Sequence, residues 1–250
     1  MRDTLTLLGR LIRHVLRSPD TIITTALMPV AMMLLFVYVF GGAVGPSLGS
    51  DVSYVNYQLP GIALIAVASG ISYTAMRLWS DMQKGLFARF SSMPIKRSAM
   101  LWAHVLTSLA ANMLTLVIIV LVALPLGFRS SAGVLNWLGV AGILVLFTLA
   151  LTWVATIPGL TAHSMEGATA FSYPLIFLPF LSSAFVPTET MPAALRVFAE
   201  SQPVTPIVAT LRALLNAEPL GSEIWLALAW CVGIAAVSYC LATRAYRRAM

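Results

Sequence analysis

The chain has 250 residues, of which 59% are hydrophobic and only 10% charged, whereas about a quarter of the residues in soluble domains carry charge. That balance excludes an ordinary soluble enzyme or binding module and defines a membrane-embedded chain. The net charge of +6 follows from where the basic residues sit relative to the apolar runs, so no nucleic-acid partner is implied.

Residues 1–20 are predicted to form a cytoplasmic interfacial helix. Leu5, Leu8, Ile12 and Val15 share one helical face, Thr6, Arg10, Arg13 and Arg17 share the other, and Ser18-Pro19-Asp20 ends it. Six runs then have the length and composition of transmembrane helices: 21–40, 59–79, 99–127, 134–157, 169–186 and 224–243. The first begins too far from the N-terminus for a cleaved signal peptide and has no A-x-A-like site after it. None alternates as a barrel strand does. The fold class read from the sequence is therefore an all-α integral membrane protein: one domain, 1–250, with six transmembrane helices.

Between the second and third runs, residues 80–97 read SDMQKGLFARFSSMPIKR. Met82, Leu86, Phe90 and Met93 recur at helical spacing, Phe87 lies beside them, and Pro94 closes the run. Two readings fit the pattern: a loop helix resting on headgroups, or a helix whose apolar anchors dock into a soluble partner. Residues 187–222, before the last run, hold apolar patches too short to span, broken by Pro187, Pro192, Pro203 and Pro206. They fit either a plain extracellular cap or short re-entrant helices, the latter requiring that protein bury any non-helical backbone.

Twelve of the fifteen basic residues fall in the N-terminal segment, the 80–97 loop with its approach, and the C-terminal tail. By the positive-inside rule those three regions, and hence both termini, are cytoplasmic in a cell inner (plasma) membrane. Arg77 and His104 are the ionisable residues near span interiors, both close to cytoplasmic ends; proton-driven secondary transport usually needs more than that. No H-E-x-x-H or paired nucleophile and base is present, and His163 and Glu166 sit in a short cytoplasmic loop, so no enzyme is predicted. Cys231 and Cys240 lie on opposite faces of the last run and cannot bridge within one chain.

The segment S-x-A-F-x-P-x-x-x-M-P-x-x-L-R from Ser182, continuing through Q-P-V-T-P to Leu211-Arg212, resembles the signature region of ABC type-2 transporter permeases, and within them the daunorubicin-resistance group. YQLPGI at 57–62 and D-x-x-x-G-x-x-x-R-x-x-x-x-P at 81–94 are similar to that family's second span and first cytoplasmic loop; Phe87-Ala88 and Gln202 depart from its pattern. The resemblance implies the permease subunit of an ATP-driven exporter, working as two permease protomers, identical or different, with two ABC ATP-binding subunits. It implies a cargo that is amphipathic, drug-like or lipid-like, the alternatives being a cell-envelope glycan or glycolipid, or ion-coupled transport. Met82, Lys84, Gly85, Leu86, Phe87, Arg89, Phe90 and Met93 are then the expected coupling residues. Met32, Phe36, Phe177 and Phe180 are the expected liners of a path that also touches membrane lipids. A P-loop needs Gly-Lys-Ser/Thr, and of the two lysines Lys84 precedes Gly and Lys96 precedes Arg. No cofactor is therefore expected on this chain, and ATP and Mg²⁺ belong to the partner subunit.

Overall fold

The computed structural model describes residues 19–44, 53–84 and 97–248, and among these every regular element is a helix and none is a strand. Helix α1, Pro19–Leu35, runs on through a π-helical turn, Phe36–Phe40, and an α turn, Gly41–Val44. Then follow α2 (Tyr54–Gln83), α3 (Arg97–Ala123), α4 (Val134–Thr161), α5 (Met165–Ala170) and α6 (Ser172–Phe177). Short 3₁₀ turns at Leu178–Leu181 and Thr188–Thr190 lead to α7 (Ala193–Ser201), α8 (Val204–Asn216) and α9 (Glu223–Arg248). Segments Tyr54–Gln83, Leu101–Ala123, Val134–Thr161 and Glu223–Arg247 are long and apolar enough to cross a membrane. Such runs fold as helices because lipid offers no partner to a free N–H or C=O.

The run 169–186 is not one unbroken helix. Pro174 falls in the first turn of α6 and Pro179 in the first turn of the 3₁₀ piece. Proline at a first turn breaks no helical bond, and each of these two stands where a new helical piece begins, whereas Pro29, Pro60 and Pro158 sit inside α1, α2 and α4. Phe171 and Leu178, at the joints, keep right-handed helical geometry, so the pieces follow one another without reversing.

Helix α2 is the centre of the bundle, packed against α1, α3 and α4, while α9 lies against α4 and α8. Two apolar clusters hold these helices. The larger includes Ile62, Ile65, Ile71, Leu116, Ile119, Phe147, Phe185, Ile207 and Leu211. The smaller, toward the ends of α2 and α4 that carry Leu78 and Leu160, adds Leu101, Val105, Trp153 and Tyr246, with Trp153 packed edge-on against Trp102 and Tyr239. Between the clusters runs a buried polar layer. Thr74 donates to Ser108 Oγ (2.6 Å), Thr152 Oγ1 stands 3.5 Å from the same hydroxyl, and Asn112 Nδ2 donates to Ser108 O (2.9 Å). Hydroxyls and amides of this kind join helices where lipid gives apolar side chains little reason to prefer one another. Asn112 fits because Gly70 faces it: a methyl at Gly70 would overlap Asn112 Oδ1 and lie 2.9 Å from its Cγ.

The opposite ends are laced through loops. After α3, Phe128 N–H donates to Ala123 O and Gly127 N–H to Leu124 O, with Gly127 at φ +98°. This is the left-handed helix stop that glycine adopts at little cost. After α8 the same two bonds recur, Glu218 N–H to Ala213 O and Ala217 N–H to Leu214 O, but here Ala217 holds the left-handed position at φ 56°. The α3–α4 loop caps α8 as well: Ser130 and Ser131 donate to the carbonyls of Leu215 and Asn216, each at 2.7 Å. Asn56 and Arg129 exchange two further bonds between side chain and backbone.

Candidate functional site

The motifs at 57–62 and 182–215 meet in space. Arg212, on α8, donates through Nη2 to the carbonyls of Tyr57 (3.1 Å) and Ser183 (3.0 Å), and its guanidinium lies 3.7 Å from the centroid of the Tyr57 ring. Tyr57 in turn donates from its hydroxyl to Ser183 O (3.1 Å). A planar guanidinium can stack and donate at once, which a lysine cannot do. One turn later along the same helix, Gly61 admits Ala184 and Phe185: a methyl there would stand 2.7 Å from Ala184 Cβ and 3.1 Å from Phe185 Cζ. Gln202 Nε2 donates to the carbonyls of Leu178 and Leu181, closing the 3₁₀ piece onto α7. The sequence marked Arg212 and Gly61 only as motif letters; their contacts are 155 residues and more than 120 residues apart in the chain, and no local periodicity reveals such pairs.

Phe185 leads to an aromatic cluster. Phe36, at the start of the π turn, stacks on Phe185 with centroids 4.6 Å apart and planes 10° from parallel, and Phe180 stacks on Phe185 at 5.1 Å. Phe180 also reaches Phe177 (6.1 Å), and Phe36 reaches Phe40 (5.4 Å). Three of the four path residues read from the sequence, Phe36, Phe177 and Phe180, are thus brought together; Phe40 and Phe185 complete the group. Met32 packs against the larger apolar cluster instead. One edge of the group is open, with Phe177 at 62% exposure and Tyr38 nearby in sequence at 75%, while Met33 is fully buried. π turns place side chains off the usual helical stripe, and here that turn begins at the residue that stacks. By contrast, the apolar crevice among Pro60, Ala63, Leu116, Trp137, Leu144 and Leu211 has room for only about 30 Å³, against roughly 300–1,000 Å³ for a drug-sized ligand.

At the other end, Gly85, Leu86, Phe87, Arg89, Phe90 and Met93 lie outside the described residues, as do residues 1–18. Of the remaining coupling residues, Lys84 is exposed and its N–H donates to Ser80 O (3.0 Å). Met82 packs back against the smaller apolar cluster. Helix α2 itself continues to Gln83, so Asp81 and Met82 belong to its last turn rather than to a separate helix, and Met82 anchors the permease's own core. Next to it, His104 Nε2 stands 3.2 Å from Asp81 Oδ2, and Trp79 Nε1 donates to Ala162 O at 3.1 Å. His163 and Glu166 are described, and neither is buried; Glu166 opens α5, whose N-cap Ser164 accepts from Gly167 N–H. Cys231 is buried and Cys240 exposed, and neither is bridged.

Four helices among the described residues are long and apolar enough to cross a membrane, which fits a membrane-embedded subunit, and its relatives in sequence give the class. Residues 2–216 match the family model of the ABC-2 type transporter. The chain is 31% identical over 248 residues to the daunorubicin resistance ABC transporter permease protein DrrB1 of Streptomyces coeruleorubidus, covering 98% of this chain and 86% of that protein. It is 28% identical over 252 residues to the probable doxorubicin resistance ABC transporter permease protein DrrC of Mycobacterium tuberculosis strain H37Rv, covering 99% and 89%. This chain therefore belongs to the ABC-2 type transporter family, as a transmembrane permease rather than a nucleotide-binding subunit.

Proposed function

We propose that this chain is the permease half of an ATP-driven exporter that moves an amphipathic, drug-like or lipid-like compound out of the cytoplasm or inner leaflet. The observation that carries the reading is the family match through residue 216, together with relatives along nearly the whole chain whose names are those of drug-resistance permeases. ATP is bound and hydrolysed by a separate ABC subunit, consistent with the lack of any Gly-Lys-Ser/Thr sequence here. The fold has six spans, with the runs 21–40 and 169–186 as the first and fifth, and both termini cytoplasmic. Helices α7 and α8, of 9 and 13 residues, reach only about 14 and 20 Å, which supports a re-entrant outer segment over 187–222. Two protomers form the path, and the open edge of the Phe36, Phe177 and Phe180 group, with Met32 behind it, faces the cargo. That no drug-sized room exists in the crevice inside α2, α3, α4 and α8 favours a path on the surface of each protomer.

Residues 80–97 dock on the ATPase. Leu86, Phe90 and Met93 are the anchors, and Lys84 and Arg89 the rim. Each buried Leu or Phe anchor contributes roughly 1.5–3 kcal/mol, so Leu86→Asp or Phe90→Asp is expected to weaken retention of the ATPase at least tenfold in a pull-down at matched membrane levels. Undiminished recovery with normal export of doxorubicin would overturn the docking role.

A further inference from the structure

Asp81 is an acid in the last turn of α2, where the partial negative charge of the helix end disfavours it. Its neighbours compensate. Arg77 lies one turn earlier on the same helix and attracts it, and His104, on α3 and only 6% exposed, presents Nε2 at 3.2 Å. Asp81 itself is 25% exposed, dry enough for the contact to hold its geometry where a solvated surface pair would not. The pair joins the two helices that emerge from either end of the segment 85–96, beside the smaller cluster that holds Leu78, Leu101 and Val105. Two residues before Asp81, Trp79 ties the same end of α2 to Ala162 at the end of α4, and Gly159 lets α4 close onto Ala75 and Leu78, where a methyl would meet them at 3.0–3.1 Å. A displacement applied to the loop therefore meets a clamped junction rather than two free helix ends.

The geometry points to His104 and Asp81 as positioning residues for energy coupling: their contact makes α2 and α3 move as one body when the cytoplasmic loop is displaced. This rests on the docking role proposed for 80–97. Without the contact, loop motion is dissipated in the last turn of α2 and the first turns of α3, and the outer end of α2 does not respond to nucleotide. The layered contacts above it, Thr74 to Ser108 and Gly70 against Asn112, then have no concerted motion to carry outward.

The test uses the full permease with its ATPase in lipid nanodiscs, with Cys231→Ala and Cys240→Ser as background and a single Ser53→Cys at the exposed start of α2. Maleimide labelling of that cysteine is timed with and without ATP plus vanadate, so that no transported compound is needed. With His104 and Asp81 intact the labelling rate should change about fivefold on trapping, the scale of an ordinary coupling free energy. In His104→Ala the ATPase should still copurify in full and hydrolyse ATP, while the change falls to about unity; in Asp81→Ala, which lies inside 80–97, the change should fall likewise. His104→Gln, which keeps an amide N–H for Asp81, should restore most of the response, something that a role in stability alone does not predict. A full nucleotide response in both alanine variants, or none in the intact pair, would overturn the inference. Loss of the ATPase from His104→Ala would also overturn it, by making His104 part of the docking surface. Failure of the docking role itself reads out separately, as undiminished ATPase recovery by Leu86→Asp.

Discussion

Gly70→Ala is expected to loosen the centre of the bundle, although alanine is the better helix former. The gain in helix propensity is about 1 kcal/mol. Against it, the new methyl overlaps Asn112 Oδ1 and sits 2.9 Å from Cγ and 3.2 Å from Nδ2, so the amide must withdraw by several tenths of an ångström. Asn112 is 3% exposed and walled by Ser108 and its neighbours, and overpacking of this kind costs about 1–3 kcal/mol. Displacing the amide also weakens its bonds to Ser108 O (2.9 Å) and Oγ (3.3 Å), at about 1 kcal/mol each. The net loss is about 2–4 kcal/mol, or a fall in Tm of roughly 4–16 °C for a chain of this size. Thermal unfolding in detergent, followed by tryptophan fluorescence, measures it. Two controls fix the cause. Gly233→Ala, where a methyl meets nothing within 4 Å, should raise Tm slightly. In the double variant Gly70→Ala with Asn112→Ala the methyl has room, and the two changes should be non-additive by about 2 kcal/mol. A Gly70→Ala protein as stable as the Gly233→Ala protein, or strictly additive changes, would show that the contact between α2 and α3 does not constrain the bundle.

Two further outcomes concern the loop after α8 and the orientation of the chain. Ala217→Gly should stabilise the protein by about 1 kcal/mol, because Ala217 holds a left-handed φ of 56° that costs a side-chain-bearing residue about that much; an unchanged or lower Tm would contradict the strain. In a cysteine-free background, a cysteine at Glu189 should label from outside intact cells and one at Gly85 should not, and the reverse order would invert the orientation drawn from the 80–97 loop and the basic termini.

What the sequence made legible divides along physical lines. The helices α2, α3, α4 and α9 were readable because each is a long apolar run, and a backbone in lipid has no other way to satisfy itself. The broken course of 165–181 was harder to read: the hydropathy of that run resembles a span, and only the positions of Pro174 and Pro179 show where the helix restarts. Phe36, Phe177 and Phe180 were legible as aromatics, but their meeting depends on the π turn and on Phe185, which came from the 182–215 motif rather than from any helical stripe. Met82 follows the anchor spacing of the coupling segment, yet α2 runs four residues past the predicted span end at 79 and turns Met82 inward. Arg212 and His104 were invisible as contacts, since one is held by carbonyls and the other pairs with Asp81 across 23 residues of chain.

The most direct measurement of the proposed activity is doxorubicin uptake into inside-out proteoliposomes, holding this permease with or without its cognate ATP-binding subunit. ATP should drive uptake only when both subunits are present, an imposed proton gradient should drive none, and the permease alone should hydrolyse no ATP. Uptake by the permease alone, powered by a proton gradient or by ATP that it hydrolyses itself, would contradict the assignment of this chain as the passive half of an ATP-driven exporter.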